Sequence, residues 1–321
     1  MSAPLFISII VVNWNAGEQL TALLDSLANY HCGLISDVVV IDNGSTDDSL
    51  DILEMNTDIP FHLEIIKNSD NRGFSAACNQ GARIARKSDF LLFLNPDAAI
   101  CNEALGKVFG YMSSANASDV GICGVQLFGE SGAVSRSCAR FPSPTAFFAH
   151  AIGIDRIFPS LGHFMSDWTH DSTREVDHVI GAFFFVRRSL FEALGGFDER
   201  FFVYLEDLDF SYRARQLGWH SMFLADVQAF HAGGGTSNQV KARRLFYSLR
   251  SRLLYSFKHF SFIGAMVVLL ATLLLEPLSR SALALARGSF TMLEETWNGY
   301  GMLWSWLPQW ALKQVIPWIF D

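Results

Sequence analysis

Along the first 127 residues, short runs of β-branched and apolar side chains alternate with stretches whose apolar positions recur every three or four residues. That alternation predicts βαβ units and hence a parallel sheet. Strands are expected at Ile7–Val12, Val38–Ile41, His62–Ile66, Phe90–Leu94 and Gly121–Val125, with helices at Glu18–Ala28, Asp47–Glu54, Ser75–Arg86 and Asn102–Met112 between them. Ile9-Ile10-Val11-Val12 and Val38-Val39-Val40-Ile41 are apolar at every position, so both faces of these strands are expected to be buried, as in a doubly wound α/β sheet. In such a sheet the ligand sits beyond the carboxyl ends of the strands. Those ends are polar here: Asn13 and Asn15 follow the first strand, Asp42-Asn43-Gly44-Ser45 the second, Asn68 to Gly73 the third and Asn95-Pro96-Asp97 the fourth.

Residues 128–176 are weaker in pattern and richer in Ser, Pro and His; they read as a long excursion over the site and not as a separate domain. Strand character returns at Val179–Val186, and a short helix at Ser189–Leu194 is stopped by Gly195-Gly196. A second polar cluster, Glu206, Asp207 and Asp209, then opens a helix that ends at Leu217-Gly218. Last, a strand-like Val227–Phe230 leads to His231 and to Gly233-Gly234-Gly235, which reads as a loop.

Several of these residues carry candidate chemistry beside a plain structural role. Asn95 and Asp97, two apart in an extended segment, share a face, and such oxygen ligands suit Mg²⁺ or Mn²⁺ on a diphosphate; the alternative is a turn-closing Asn-Pro-Asp. A neutral His231 imidazole would complete a divalent metal shell that Asp97 begins. Asp42 sits in a strand-to-helix turn that Ser45 or Thr46 caps, leaving its carboxylate to accept from a nucleobase. Three carboxylates at a helix start are favoured by the macrodipole at about 0.3–1 kcal/mol each. Asp209 reaches Arg213 at i+4, whereas Glu206 and Asp207 have Phe210 and Ser211 there, so one of them facing a cleft can act as general base on a hydroxyl.

Composition narrows the class. The chain has 321 residues, of which 50% are hydrophobic, enough for one substantial domain and an appended module. Five cysteines without a Cys-x-x-Cys pair argue against a disulfide framework or zinc site and fit a reducing cytoplasm. Ile7–Val12 is too short for a signal-peptide core. No Gly-x-Gly-x-x-Gly joins a strand to a helix and no Gly-x-x-x-x-Gly-Lys-Ser/Thr loop occurs, which removes the main evidence for a dinucleotide-binding or P-loop enzyme.

Taken together in order and spacing, Ser8-Ile-Ile-Val-Val-Asn13-Trp-Asn15, Val-Val-Ile41-Asp42-Asn-Gly-Ser45, Asn71-Arg-Gly-Phe74, Leu94-Asn-Pro-Asp97 and Tyr204-Leu-Glu206-Asp207-x-Asp209 resemble the family 2 inverting glycosyltransferases of the GT-A fold. Within that family they look most like bacterial rhamnosyltransferases that use dTDP-L-rhamnose. The resemblance implies an α/β GT-A domain over residues 1–240. It also implies that Asp42 reads the pyrimidine, that Asn13, Asn15, Asn43 and Ser45 line the nucleotide pocket, and that Asn71, Arg72 and Gly73 hold the nucleotide or sugar side. Asp97 matches the second carboxylate of the family's Asp-x-Asp metal motif, with Asn95 where many members carry the first, and His231 matches a late histidine near diphosphate and metal. Asp207, with Glu206 beside it, matches the catalytic base. Two alternatives remain: a nucleotidyltransferase on a related fold, and a non-catalytic sugar-nucleotide sensor or scaffold.

The last segment changes sign. The whole chain carries a formal charge of −8, yet Lys241 to Leu293 holds eight basic residues and one acid, Glu276. The basic residues bracket an uncharged run from Phe260 to Leu275, which fits an anionic membrane surface and no nucleic acid. This run falls short of the ~20 residues that span a bilayer. Trp297, Trp304, Trp306, Trp310 and Trp318 then form a candidate interfacial belt. Residues 241–321 are therefore read as a helical membrane-association module, peripheral or re-entrant on the cytoplasmic face of a bacterial inner membrane, serving a lipid-linked glycan acceptor. A helical cap or a homodimer interface is the competing reading.

Overall fold

A computed structural model describes residues 6–30, 33–50, 59–233 and 240–314. The chain forms two compact units, the first comprising residues 1–140, 168–202 and 206–236 and the second residues 141–167, 203–205 and 237–321.

The first unit is built on strands β1 (Ile7–Asn13), β2 (Ile35–Asp42), β3 (His62–Lys67), β4 (Phe90–Leu94), β5 (Ala98–Ile100), β6 (Val120–Phe128), β7 (Cys138–Ala139), β8 (Arg174–Val176), β9 (His178–Val179), β10 (Phe183–Arg187) and β11 (His220–His231). Nine of them make one mixed sheet in the order β3-β2-β1-β4-β10-β6-β11-β5, with β8 also on β11. The expected parallel core is present as β3-β2-β1-β4. β10 then enters antiparallel to both β4 and β6, and β11 runs parallel to β6. Continuous apolar runs produced this centre: Ile9, Val11, Val38, Val40 and Leu92 are fully buried, each contributing about 1.5–3 kcal/mol of transfer free energy. Helices Glu18–Tyr30, Phe74–Ile84 and Ala104–Ser113 connect the strands near the expected positions.

Two sequence expectations change, and one falls largely outside the described residues. Val179–Val186 is two strands, β9 paired with β7 and β10 in the main sheet, because the backbone between them is drawn elsewhere: Gly181 N–H donates to Asp207 and Ala182 C=O accepts from Asn95 N–H. The strand expected at Val227–Phe230 is the end of the 12-residue β11. The helix expected at Asp47–Glu54, together with Cys32, Gly234, Gly235 and Trp318, lies wholly or largely outside the described residues. As expected, Gly195 and Gly196 terminate helix Arg188–Ala193, both with positive φ. Cys78, Cys101, Cys123 and Cys138 are free thiols.

The second unit is helical: Pro144–Ala151, Lys241–His259, Phe262–Leu270, a π-turn at Ala271–Leu275, Glu276–Ala286 and Phe290–Gln314. Part of the excursion, residues 141–167, belongs here. Leu249, Leu253, Phe257, Ala265, Tyr300, Leu303 and Trp310 form its core. The apolar run does not stop at Glu276-Pro277. The π-turn precedes the proline, which lacks an N–H to give to the ladder, and the helix continues, so that Phe262–Ala286 is a 25-residue helical segment in which an 18-residue stretch has mean hydropathy 2.1. Its one acid is neutralised internally. Glu276, 1% exposed, pairs with the buried Arg252 and, at 2.7 Å, with Arg280.

Candidate active site

The strand register sets the first layer of the site. Asn13 and Asp42 are the last rung of the β1–β2 ladder, side by side at the carboxyl ends. Asn13 Nδ2 donates to Asp42 Oδ1 at 2.9 Å, to Ser45 Oγ at 3.1 Å and to Ser49 Oγ at 2.8 Å, while its own Oδ1 has no partner among the described residues. Asp42 also accepts from Ser45 through the hydroxyl at 2.5 Å and the backbone N–H at 3.1 Å. The expectation that neighbours would do the capping is thus corrected: Asp42 itself closes the turn, at 3% exposure. Asn15, with φ 54°, accepts from Thr46 N–H at 2.7 Å and so ties the first strand end to the second.

Asn43 is the latch to the third strand end. Its Nδ2 donates to Asn71 Oδ1 and Gly73 O, both at 3.1 Å, and its Oδ1 accepts from Asn68 Nδ2 at 3.2 Å and Arg72 N–H at 3.3 Å. Arg72 is left with a half-exposed guanidinium 3.8 Å from Asp70. Gly73 is required twice over. Its φ is +88°, and an added Cβ would lie 2.5 Å from Phe202 O, the carbonyl that accepts Phe74 N–H. Asn13, Asn43 and Asn71 therefore hold the loop shape, and Asn15, Ser45 and Arg72 are the more open members of the expected set.

At the fourth strand end the structure joins Asn95, Asp97 and His231. β11 pairs with β5 so that His231 stands opposite Ala98, and Ala232 N–H donates to Asp97 O at 3.0 Å. His231 Nε2 lies 3.4 Å from Asp97 Oδ1 and 3.4 Å from Asn95 Nδ2. Burial opposes charge on Asp97, but the hydrogen bond and charge of His231 outweigh it and hold the carboxyl below its ordinary range. Among the described residues no third His, Cys, Asp or Glu joins the pair. One carboxylate and one imidazole fit a divalent cation that draws its remaining ligands from a diphosphate and water, since Mg²⁺ is commonly held by one or two carboxylates plus substrate phosphates. They do not make a self-sufficient protein cage.

Helix Glu206–Gln216 supplies the other carboxylates, and the structure gives the adjacent pair opposite characters. Glu206 is 4% exposed and its Oε2 has no hydrogen-bond partner among the described residues; burial, and then the charge of Asp207, push its pKa well up and so favour its unionised form. Asp207 keeps 15% side-chain exposure and accepts two backbone N–H groups, Gly181 to Oδ2 at 2.6 Å and Leu208 to Oδ1 at 2.8 Å. Asp209 pairs with Arg213 at 2.8 Å as its spacing implied, and Arg213 also donates to Leu194 O and Gly196 O. Gly181 went unnoticed in the sequence, although a lone glycine in a β-rich run signals close approach; a Cβ there would sit 3.1 Å from Asp207 Oδ2.

Residues 8–195 match the model of Glycosyl transferase family 2. A PGL/p-HBAD biosynthesis glycosyltransferase of Mycobacterium bovis is 30% identical over 75% of this chain and 82% of its own length. An N-acetylglucosaminyl-diphospho-decaprenol L-rhamnosyltransferase of Mycobacterium tuberculosis is 26% identical over 74% of this chain and 79% of its own. Among solved structures, a mannosyltransferase of Pyrobaculum calidifontis, in complex with GDP-Man and Mn²⁺, superposes with a TM-score of 0.55 at 18% identity, covering 98% of this chain and 85% of that one. TarS of S. aureus gives 0.53 at 17%, over 93% and 80%. Both share the GT-A fold with this chain.

Proposed function

Since the chain belongs to glycosyl transferase family 2, we propose that it transfers one sugar, with inversion, from a nucleoside diphosphate donor to a hydroxyl of a lipid-linked glycan. The observation that carries this reading is the contrast at 206–207: a buried acid beside a partly open carboxylate that two N–H groups hold in place. Asp207 removes the acceptor proton as the hydroxyl oxygen attacks the anomeric carbon and the diphosphate leaves. Asp42 and Asn15 support the base and ribose side, and Arg72 the phosphates or sugar. Asp97 and His231, with Asn95 beside them, would hold Mg²⁺ or Mn²⁺, which when bound neutralises charge on the leaving diphosphate. L-rhamnose as the sugar and a polyprenyl-diphosphate glycan as the acceptor are supported by the mycobacterial relative's name, and dTDP-L-rhamnose is the donor that the sequence resemblance implies.

Residues 1–240 serve as the catalytic domain and 241–321 as the membrane-association module, peripheral on the cytoplasmic face of a bacterial membrane. Along the second unit, Ile263, Val267, Leu270, Leu274, Leu278 and Leu285 are 41–76% exposed at helical spacing, whereas Ala265, Val268, Ala271, Glu276 and Ala284 are buried. An apolar outer stripe over a reverse face that carries the Arg252–Glu276 pair favours lying in the interface to crossing the bilayer. In flotation with anionic vesicles, replacing Leu270 and Leu274 by Glu is expected to cut the bound fraction about tenfold without loss of helicity. Unchanged flotation would remove this face from the account.

The functional reading is tested by nucleoside diphosphate release from a panel of sugar nucleotides, with Mg²⁺ and with and without polyprenyl-diphosphate glycans. Acceptor-dependent release from one donor, abolished by EDTA, is expected. Donor binding without turnover across the panel would favour a sensor or scaffold.

A further inference from the structure

We infer that His178 is a positioning residue for Asp207, the place to which the proton taken from the acceptor passes; this rests on the reading of Asp207 as base. His178 lies on β9, 3% exposed, opposite Ala139 of β7, and touches no open surface of the site. Its Nδ1 is 3.1 Å from Ser211 Oγ and its Nε2 is 3.6 Å from Asp207 Oδ2. Counting protons fixes the tautomer. The single hydroxyl proton of Ser211 is donated to the main-chain oxygen of Asp207 at 2.9 Å, so Ser211 Oγ accepts from His178 Nδ1–H. Nε2 of the neutral ring is then bare and stands next to a carboxylate oxygen.

Burial holds the ring's pKa below its ordinary value and favours the neutral form, against the pull of Asp207 and then Asp177. The other groups around it do not compete for a proton. Asp177 is shared with Arg215 at 3.9 Å, Cys138 on β7 is a thiol pushed up to about 12 by burial, and Ser211 and, on β11, Ser221 are uncharged. Two bare acceptors therefore face each other across 3.6 Å. One added proton turns that repulsion into a charge attraction, so the pair binds a proton more readily than Asp207 alone.

The step balances without a further reagent. The acceptor O–H bond breaks, its electron pair forms the new bond to the anomeric carbon, and the bond pair to the leaving oxygen departs with the diphosphate. The proton goes to Asp207 and on to Nε2, leaving an imidazolium beside a carboxylate that returns the proton to solvent after product release. His178 touches neither substrate nor donor. Its effect is to make the pair a stronger base toward the acceptor hydroxyl than Asp207 is alone.

The test is the pH profile of kcat at saturating donor and acceptor for His178→Gln and for Ser211→Ala, which keeps the ring but releases Nδ1. For His178→Gln, kcat is expected to fall about tenfold, the acid limb to move down by about one pH unit, and donor affinity to stay within twofold. Ser211→Ala is expected to move the limb the same way by less. An acid limb at the wild-type position in His178→Gln overturns the inference, and should that variant fail to fold, an unmoved limb in Ser211→Ala does so. Asp207→Asn separates the readings: its loss of transfer beside a wild-type profile in the His178 variant sinks only the inference, whereas retained transfer removes the base and the inference with it.

Discussion

Asp207→Asn is expected to lower kcat by about 10³ while donor affinity changes less than threefold, because general-base assistance accounts for 10²–10⁴ and the substitution keeps shape but not charge. Both carboxylate oxygens of Asp207 accept backbone N–H groups, so an amide must turn its NH₂ toward Gly181 or Leu208. The neighbouring acid offers no rescue. Burial is the foremost cause that raises the Glu206 pKa, a condition that removing the Asp207 charge leaves in place. Glu206→Gln, which keeps the size and the uncharged character that burial favours, is therefore expected to keep kcat within tenfold. Steady-state kinetics of the two variants check this, and equal losses would contradict the division of roles. Linkage gives a second sign. An acid whose folded-state pKa is raised stabilises the fold below its unfolded value near 4.5, and that contribution is lost as pH rises toward the folded value. Glu206→Gln should flatten this slope above pH 4.5.

Arg252→Ala carries the largest expected stability loss, about 3–5 kcal/mol, because it strips a buried carboxylate of its most buried partner. Glu276 would keep Arg280, whose side chain is 28% exposed and provides a weaker, better-solvated counter-charge. The guanidinium also packs on Phe147 at 5.6 Å, so the truncation loses aromatic contact as well. Trp297, Trp304, Trp306 and Trp310 all lie in the second unit and report its unfolding by fluorescence in urea. The double variant Arg252→Met, Glu276→Leu is expected to recover most of the loss, since both charges then leave the interior together. A midpoint unchanged by Arg252→Ala would show that the pair contributes nothing to the unit.

The parallel half of the sheet was legible because Ile9–Val12 within β1, Val38–Ile41 within β2 and all of β4 are continuous apolar runs, a pattern that burial on both faces explains. The site followed from the same strands: Asn13, Asp42, Asn95 and Asp97 sit where the apolar runs stop. What periodicity misses is long-range backbone accounting. β10 runs antiparallel between β4 and β6, and nothing local in Phe183–Arg187 encodes that direction. Likewise Gly181 acts through its N–H, and His178 through a ring placed by the short β7–β9 bridge; neither leaves a mark in spacing. Glu206 and Asp207 looked equivalent in sequence, and only burial tells them apart. In the second unit the run seemed to end at Glu276-Pro277 because a charge and a proline normally stop an apolar helix. The π-turn and the buried arginine reverse that expectation.

The most direct measurement is the anomeric configuration of the transferred sugar, read by NMR from product made with the donor that the panel identifies. A single displacement assisted by Asp207 predicts a linkage of configuration opposite to the donor's. A product that keeps the donor's configuration would require an intermediate between two displacements and would contradict the assignment of Asp207 as a base acting on the acceptor.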